Sequence, residues 1–158
     1  MRKIVMVAAA AAMTTAAPAY AQSTDSADME VTATIEDSCT ITAGSMAFGL
    51  VDLTTGTDHD TSATITLSCT NGAGYSVAMG NGNNYASGSH NLSDGTDVIP
   101  YDIYSDSARV SVWEGTTEVT GTAGADDVEL VAYGRIPSTA GNVPAGDYSD
   151  TVSVTVTF

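Results

Sequence analysis

The sequence predicts an all-β domain, a sandwich or a barrel, and three observations predict it. Several short segments alternate apolar and polar residues with period two. Stretches rich in Gly, Asn and Asp separate them, as turns between strands require. Beyond residue 21 no segment carries the 3.6-residue apolar period of a packed helix.

The first 21 residues have a different character. Arg2 and Lys3 precede an apolar run from Ile4 to Met13, and Pro18-Ala19-Tyr20-Ala21 follows. A basic start, a short apolar stretch and an A-x-A site are the three parts of a secretory signal peptide, cleaved after Ala21. A membrane span needs about 20 apolar residues, which neither this run nor any later one supplies. Export without membrane insertion is therefore expected. Residues 22–158 have the size of one ordinary domain.

Within that domain, residues 22–28 are rich in Ser and Asp and read as a flexible leader. Met29, Val31, Ala33 and Ile35 then alternate with Glu30, Thr32, Thr34 and Glu36, one apolar face and one polar. Ala63, Ile65, Leu67 and Cys69 repeat the pattern, and Tyr75, Val77 and Met79 follow an Asn71-Gly72 turn. Residues 80–95 read as a Gly-, Asn- and Ser-rich loop. Further strands are expected at Ile99, Tyr101 and Ile103, at Val110 and Val112 beside Trp113, and at Val128, Leu130 and Ala132. The last strand shows the longest alternation: Tyr148, Val152, Val154, Val156 and Phe158 share one face, with Ser and Thr between them.

Charge excludes several functions. Without Arg2 and Lys3 the chain keeps only Arg109 and Arg135 against 19 acids, a formal charge of −17. Such a chain repels phosphate and anionic lipid, so neither nucleic acid nor a membrane surface is an expected partner. Cys39 and Cys69 are an even pair in an exported chain, which reads as a disulfide worth about 3–4 kcal/mol by chain entropy. No nucleophile elbow, metal-binding helix motif, phosphate loop or dinucleotide motif occurs. His59 and His90 lie in polar surroundings, where an exposed histidine without a role is the default. Asp58 with Asp60, and Asp126-Asp127 with Glu129, lack the spacing of a calcium loop. No catalytic residue, cofactor or metal is assigned. Asn91-Leu92-Ser93 matches a glycosylation sequon, a pattern short enough to arise by chance.

Two segments carry functional weight. The alternating stretch Met29–Ile35 hangs between the leader and Cys39, and it packs either into its own domain or into a neighbour's sheet by strand addition. The strand that ends at Phe158 has an apolar, β-branched edge. It lies either within a sheet or beside a strand that a partner supplies.

One ordered set of motifs goes further. Cys39 is followed by Phe48-Gly49 and by Cys69. Tyr101-Asp102-Ile103-Tyr104-Ser105-Asp106 comes next, with Trp113 behind it, then Tyr133-Gly134-Arg135-Ile136-Pro137. Val143-Pro144-Ala145-Gly146-Asp147-Tyr148-Ser149-Asp150-Thr151-Val152 leads to the final Phe158. In this order the set resembles the spore coat protein U domain family, which includes subunits of archaic chaperone–usher pili. The resemblance implies a non-enzymatic, incomplete immunoglobulin-like sandwich (residues 39–158) that a donor strand from a neighbouring subunit completes. It implies a donor face of Met29, Val31, Ala33 and Ile35 within residues 22–38. It implies an acceptor groove and chaperone contact at Tyr148, Val152, Val154, Val156 and Phe158. It implies that a Cys39–Cys69 disulfide fixes the base of the donor segment. The implied partners are a periplasmic chaperone, an outer-membrane usher and other copies or related subunits. The implied destination is a cell-surface pilus with roles in adhesion and biofilm. A secreted coat protein using the same domain, and a monomeric sugar- or calcium-binding module, are the alternative readings.

Overall fold

The computed structural model of the chain describes residues 20–158. The signal peptide expected over residues 1–21 therefore lies, but for its last two residues, outside the described part. Eight strands and no helix occur among the described residues. They are β1 (Cys39–Ala43), β2 (His59–Cys69), β3 (Gly74–Met79), β4 (His90–Ser93), β5 (Val98–Tyr104), β6 (Glu118–Thr122), β7 (Val128–Ile136) and β8 (Val154–Thr157).

All strand pairs are antiparallel. One sheet has the order β1-β2-β7-β5-β4 and the other β6-β3-β8. The alternation explains the layering. Ile65 and Leu67 on β2, Val77 and Met79 on β3, Tyr101 and Ile103 on β5, and Ala132 and Ile136 on β7 are all buried in one core. Their odd- or even-numbered neighbours turn outward, as a period-two strand demands. This is an all-β sandwich of two antiparallel sheets, with five strands facing three.

Trp113 fastens the sheets together where β5 hands over to β6. It is 1% exposed. Its backbone N–H donates to Ile103 O of the larger sheet at 2.8 Å. Its indole N–H donates to Val77 O of the smaller sheet at 3.1 Å. One side chain thus fills the core and satisfies its only polar group, the usual condition for burying a tryptophan.

Four local expectations need correction. The stretch Met29–Ile35 forms no strand, because a strand exists only by pairing; residues 20–38 carry no regular structure. Val110 and Val112 form no strand either. Asp106 Oδ2 accepts the backbone N–H groups of Val110 and Ser111, at 3.2 and 2.6 Å, and Arg109 sits at φ 55°. A carboxylate that takes those donors makes a turn, and only a single bridge, Tyr104 to Val112, survives. The loop expected over residues 80–95 contains β4, with His90 2% exposed. His90 lies opposite Tyr101 in the β4–β5 register, its ring 5.3 Å from that ring and 5.7 Å from Tyr85. The long final strand is shortened to Val154–Thr157. The chain changes sheets on the way: Ser149 bridges Ser93 on β4, whereas Ser153 O accepts Gly80 N–H beside β3. A strand that switches sheets must bend between them.

Candidate functional site

Two strand edges define the site. β1 pairs only with β2, and β8 pairs only with β3, among the described residues. Each therefore keeps one edge of unpaired backbone N–H and C=O groups. β1 and β8 belong to different sheets, yet among the described residues they are the one cross-sheet strand pair whose Cα atoms approach within 8 Å. Beside that approach opens a cleft of about 360 Å³. Ala43–Met46 form one rim, and Asp150–Val152 with Val154 form the other. The floor is apolar, made of Ile65, Met79, Ile103 and Ala132. Of the two edge strands, Ala43 and Val154 themselves line the cleft, and its apolar floor suits one face of an extended, alternating peptide.

The rim at Asp150 is firmly held. Asp150 Oδ1 accepts the backbone N–H groups of Asn83 and Asn84, at 2.9 and 3.1 Å, and the Asn84 side-chain amide at 3.3 Å. Asp150 Oδ2 accepts the Tyr101 hydroxyl at 2.8 Å. Burial, and then the Asp150 carboxylate, push the Tyr101 hydroxyl far above the ordinary phenol range, so it stays a donor. Gly82, at φ 78°, lies so close to the Asp150 carboxylate that a side chain there would collide with it. His90 Nε2 contacts Gly80 O at 2.9 Å, and Gly80 N–H reaches Ser153 O at 2.7 Å. The other rim rests on Gly134, whose missing side chain leaves room for the Met46 sulfur and the Phe48 ring.

The residues expected at the groove divide. Val152 and Val154 line the cleft. Val156 is half-buried opposite Val77, on the same face. Tyr148 lies beyond the cleft, in a second hollow under residues 46–54 and 142–148, with its hydroxyl donating to Pro144 O at 2.9 Å. Phe158 is 56% exposed and lines neither hollow. Met29, Val31 and Ile35 are 84–86% exposed, and Ala33 is exposed as well. An exposed row of large apolar side chains is the surface that water disfavours most.

Cys39 and Cys69 face each other in the β1–β2 register, with their sulfurs 2.07 Å apart. The bridge pins the first residue of β1, the strand that forms one side of the cleft.

Both arginines among the described residues are engaged by acids. Arg135 grips Asp60 with two parallel bonds of 2.7 and 2.8 Å, and reaches Asp58 at 3.1 Å. Arg109 approaches the same Asp60 at 3.3 Å and lies over the Tyr133 ring, 5.7 Å from its centre. Hydrogen bonding from Arg135 holds the Asp60 carboxyl below its ordinary value; for Asp58 the main cause is the Ser138 backbone N–H. These acids are thus engaged in holding β2 to β7 and its following turn. No cluster of metal-binding side chains occurs among the described residues. The Asn91 sequon amide is 6% exposed and already donates to Asn84 O and Ser89 O, at 3.1 and 3.0 Å.

The sequence reading missed Asp150 and Tyr101 as groove residues, and the Ala43–Met46 rim. The signal for Asp150 was available: it stands in the inward register between Tyr148 and Val152, where an acid must be bonded or costly.

Comparison with known proteins agrees with this fold. A chain of the CsuC–CsuE chaperone–tip adhesion subunit pre-assembly complex, from archaic chaperone–usher Csu pili of Acinetobacter baumannii, superposes with a TM-score of 0.62 at 23% identity. The match covers 79% of this chain and 40% of that one, so this chain spans less than half its length and the likeness is one of fold. Protein U of Myxococcus xanthus is 30% identical over 176 residues, covering 98% of this chain and 96% of that protein. The model of the Spore Coat Protein U domain matches residues 25–155. With that match over most of its length, the chain belongs to the spore coat protein U domain family.

Proposed function

We propose that this protein is a structural subunit of a surface pilus, assembled through a periplasmic chaperone and an outer-membrane usher by donor-strand complementation. The observation that carries the reading is the cleft between the unpaired edges of β1 and β8, in a chain that has its own exposed alternating segment. Met29, Val31, Ala33 and Ile35 of one copy enter the cleft of the next. Burying Met29, Val31 and Ile35 contributes about 5–9 kcal/mol before the cost of ordering the strand. The chaperone occupies the same cleft beforehand, against Val152, Val154 and Val156. The solved complex of a chaperone with a pilus subunit supports such a partner. The Cys39–Cys69 bridge anchors the donor segment where it leaves its own domain. Adhesion and biofilm formation follow from a fibre on the cell surface.

Neighbouring subunits carry strong like charge, so their contacts rest on backbone hydrogen bonds and apolar pockets that salt does not screen. Deleting residues 28–36 tests the reading. The truncated chain is expected to bind its chaperone and to form no fibres; normal polymerisation of that chain refutes the donor assignment.

The likeness to Protein U along nearly the whole chain favours a second reading, a secreted structural coat protein that uses the same domain without an usher. Genes for a chaperone and an usher beside this one decide for the pilus.

A further inference from the structure

Strand uptake by the cleft, on which this inference rests, requires something that sets the register of the incoming strand. A strand of period two that slips by one residue turns its opposite face inward. For the segment at residues 29–36, the slip presents Glu30, Thr32, Thr34 and Glu36 in place of Met29, Val31, Ala33 and Ile35. Apolar burial alone disfavours that slip. The cleft also carries one charged side chain, Asp150, on its rim.

That carboxylate has no freedom to turn away. Its two oxygens accept four bonds, from the Asn83 and Asn84 backbone, the Asn84 amide and the Tyr101 hydroxyl. Gly82 packs against it from the loop side. Both oxygens act as acceptors, so the group has no hydrogen to offer to a second carboxylate. Among the described residues no cation is free to compensate one, because Arg109 and Arg135 are both held at Asp60. An incoming Glu beside Asp150 meets like charge in a partly desolvated cleft, with nothing to bridge the two.

We propose that Asp150 determines the specificity of the cleft. It rejects any strand that turns a carboxylate inward beside it, and so selects the register in which Met29, Val31, Ala33 and Ile35 face in while Glu30 and Glu36 face out. The cleft thereby discriminates among donor segments by repulsion as well as by fit.

The test uses the chain purified from residue 22 onward and labelled synthetic peptides spanning residues 25–38. Glu and Gln are placed in turn at each of the four inward positions of the peptide, and affinities are read by fluorescence anisotropy. At one position the Glu peptide is expected to bind about tenfold more weakly than its Gln twin, beyond the general penalty at the other three. Asp150→Asn is expected to remove that excess at that position alone. A stabilising role without specificity would weaken all peptides together and leave the Glu-to-Gln ratios unchanged, which overturns the proposal. If Asp150→Asn does not fold, Tyr101→Phe replaces it. Loss of one donor to the carboxylate is expected to raise the excess penalty, and an unchanged penalty overturns the proposal. Equal ratios at all four positions in the unaltered chain overturn it too. Failure of every peptide to bind overturns strand uptake itself, and this inference with it.

Discussion

The two margins of the sandwich are built in opposite ways. Where β5 passes to β6, Trp113 bonds to Ile103 O in one sheet and Val77 O in the other, and fills the core between them. Where β1 meets β8, no side chain among the described residues bonds to both strands. The edges stay unpaired among the described residues, and a cleft of about 360 Å³ opens onto Ile65, Met79 and Ile103. One margin is closed by the chain's own aromatic side chain. The other has the shape and the bonding groups for a strand that its own sheets do not supply. The difference teaches that incompleteness here is local. The fold holds at one margin so that the other can stay open.

The largest expected effect comes from attacking the closed margin. Trp113→Ala removes the side chain that joins both sheets, and a loss of about 3–5 kcal/mol is expected in urea unfolding. A loss below about 1 kcal/mol would mean that the sheets are held together elsewhere. Removing the bridge with Cys39→Ala and Cys69→Ala together is expected to cost about 3–4 kcal/mol and to loosen β1 first, seen as faster hydrogen exchange there than in β5. Val154→Asp addresses the open margin. A carboxylate on the cleft wall is expected to weaken binding of a residue 25–38 peptide by about tenfold or more, while the unfolding midpoint moves much less than for Trp113→Ala.

Asp58 and Asp60 have carboxyls held below their ordinary value of 3.8 in the folded chain. Their contribution is present above that value and is lost as pH falls through the lower, folded one. The unfolding midpoint is therefore expected to be flat from neutral pH to about pH 5 and to fall below about pH 4. Asp60→Asn should flatten that fall, measured by thermal unfolding across pH. The smallest effect is expected from Leu50→Ser, at a fully exposed position: under about 0.5 kcal/mol, with peptide binding unchanged.

The strands that build the core were legible because they are half-buried and alternate: β2, β3, β5 and β7 each stand where the pattern put them. β4 was hidden because its residues, His90 and Asn91, are polar and are buried through bonds to Gly80 O and Asn84 O that no local pattern announces. β6 was hidden because Glu118–Thr122 holds a single large apolar side chain, Val119, opposite Val77. The reverse error occurred at Val110 and Val112, where alternation was present but Asp106 took the backbone donors. At the cleft, the inward face of the final strand was readable through Val152, Val154 and Val156. The rim at Ala43–Met46 was not, since it depends on how residues far apart in sequence meet over Gly134. Alternation also marked Met29–Ile35 as strand-like, although nothing local says which sheet would receive it.

Hydrogen exchange on the chain from residue 22, with and without an added peptide of residues 25–38, tests strand insertion most directly. The account predicts new protection at the backbone amides of β1 and β8 that border the cleft, and little change at β4 or β6. Protection confined to the β4 or β6 edge, or none at all, would contradict it.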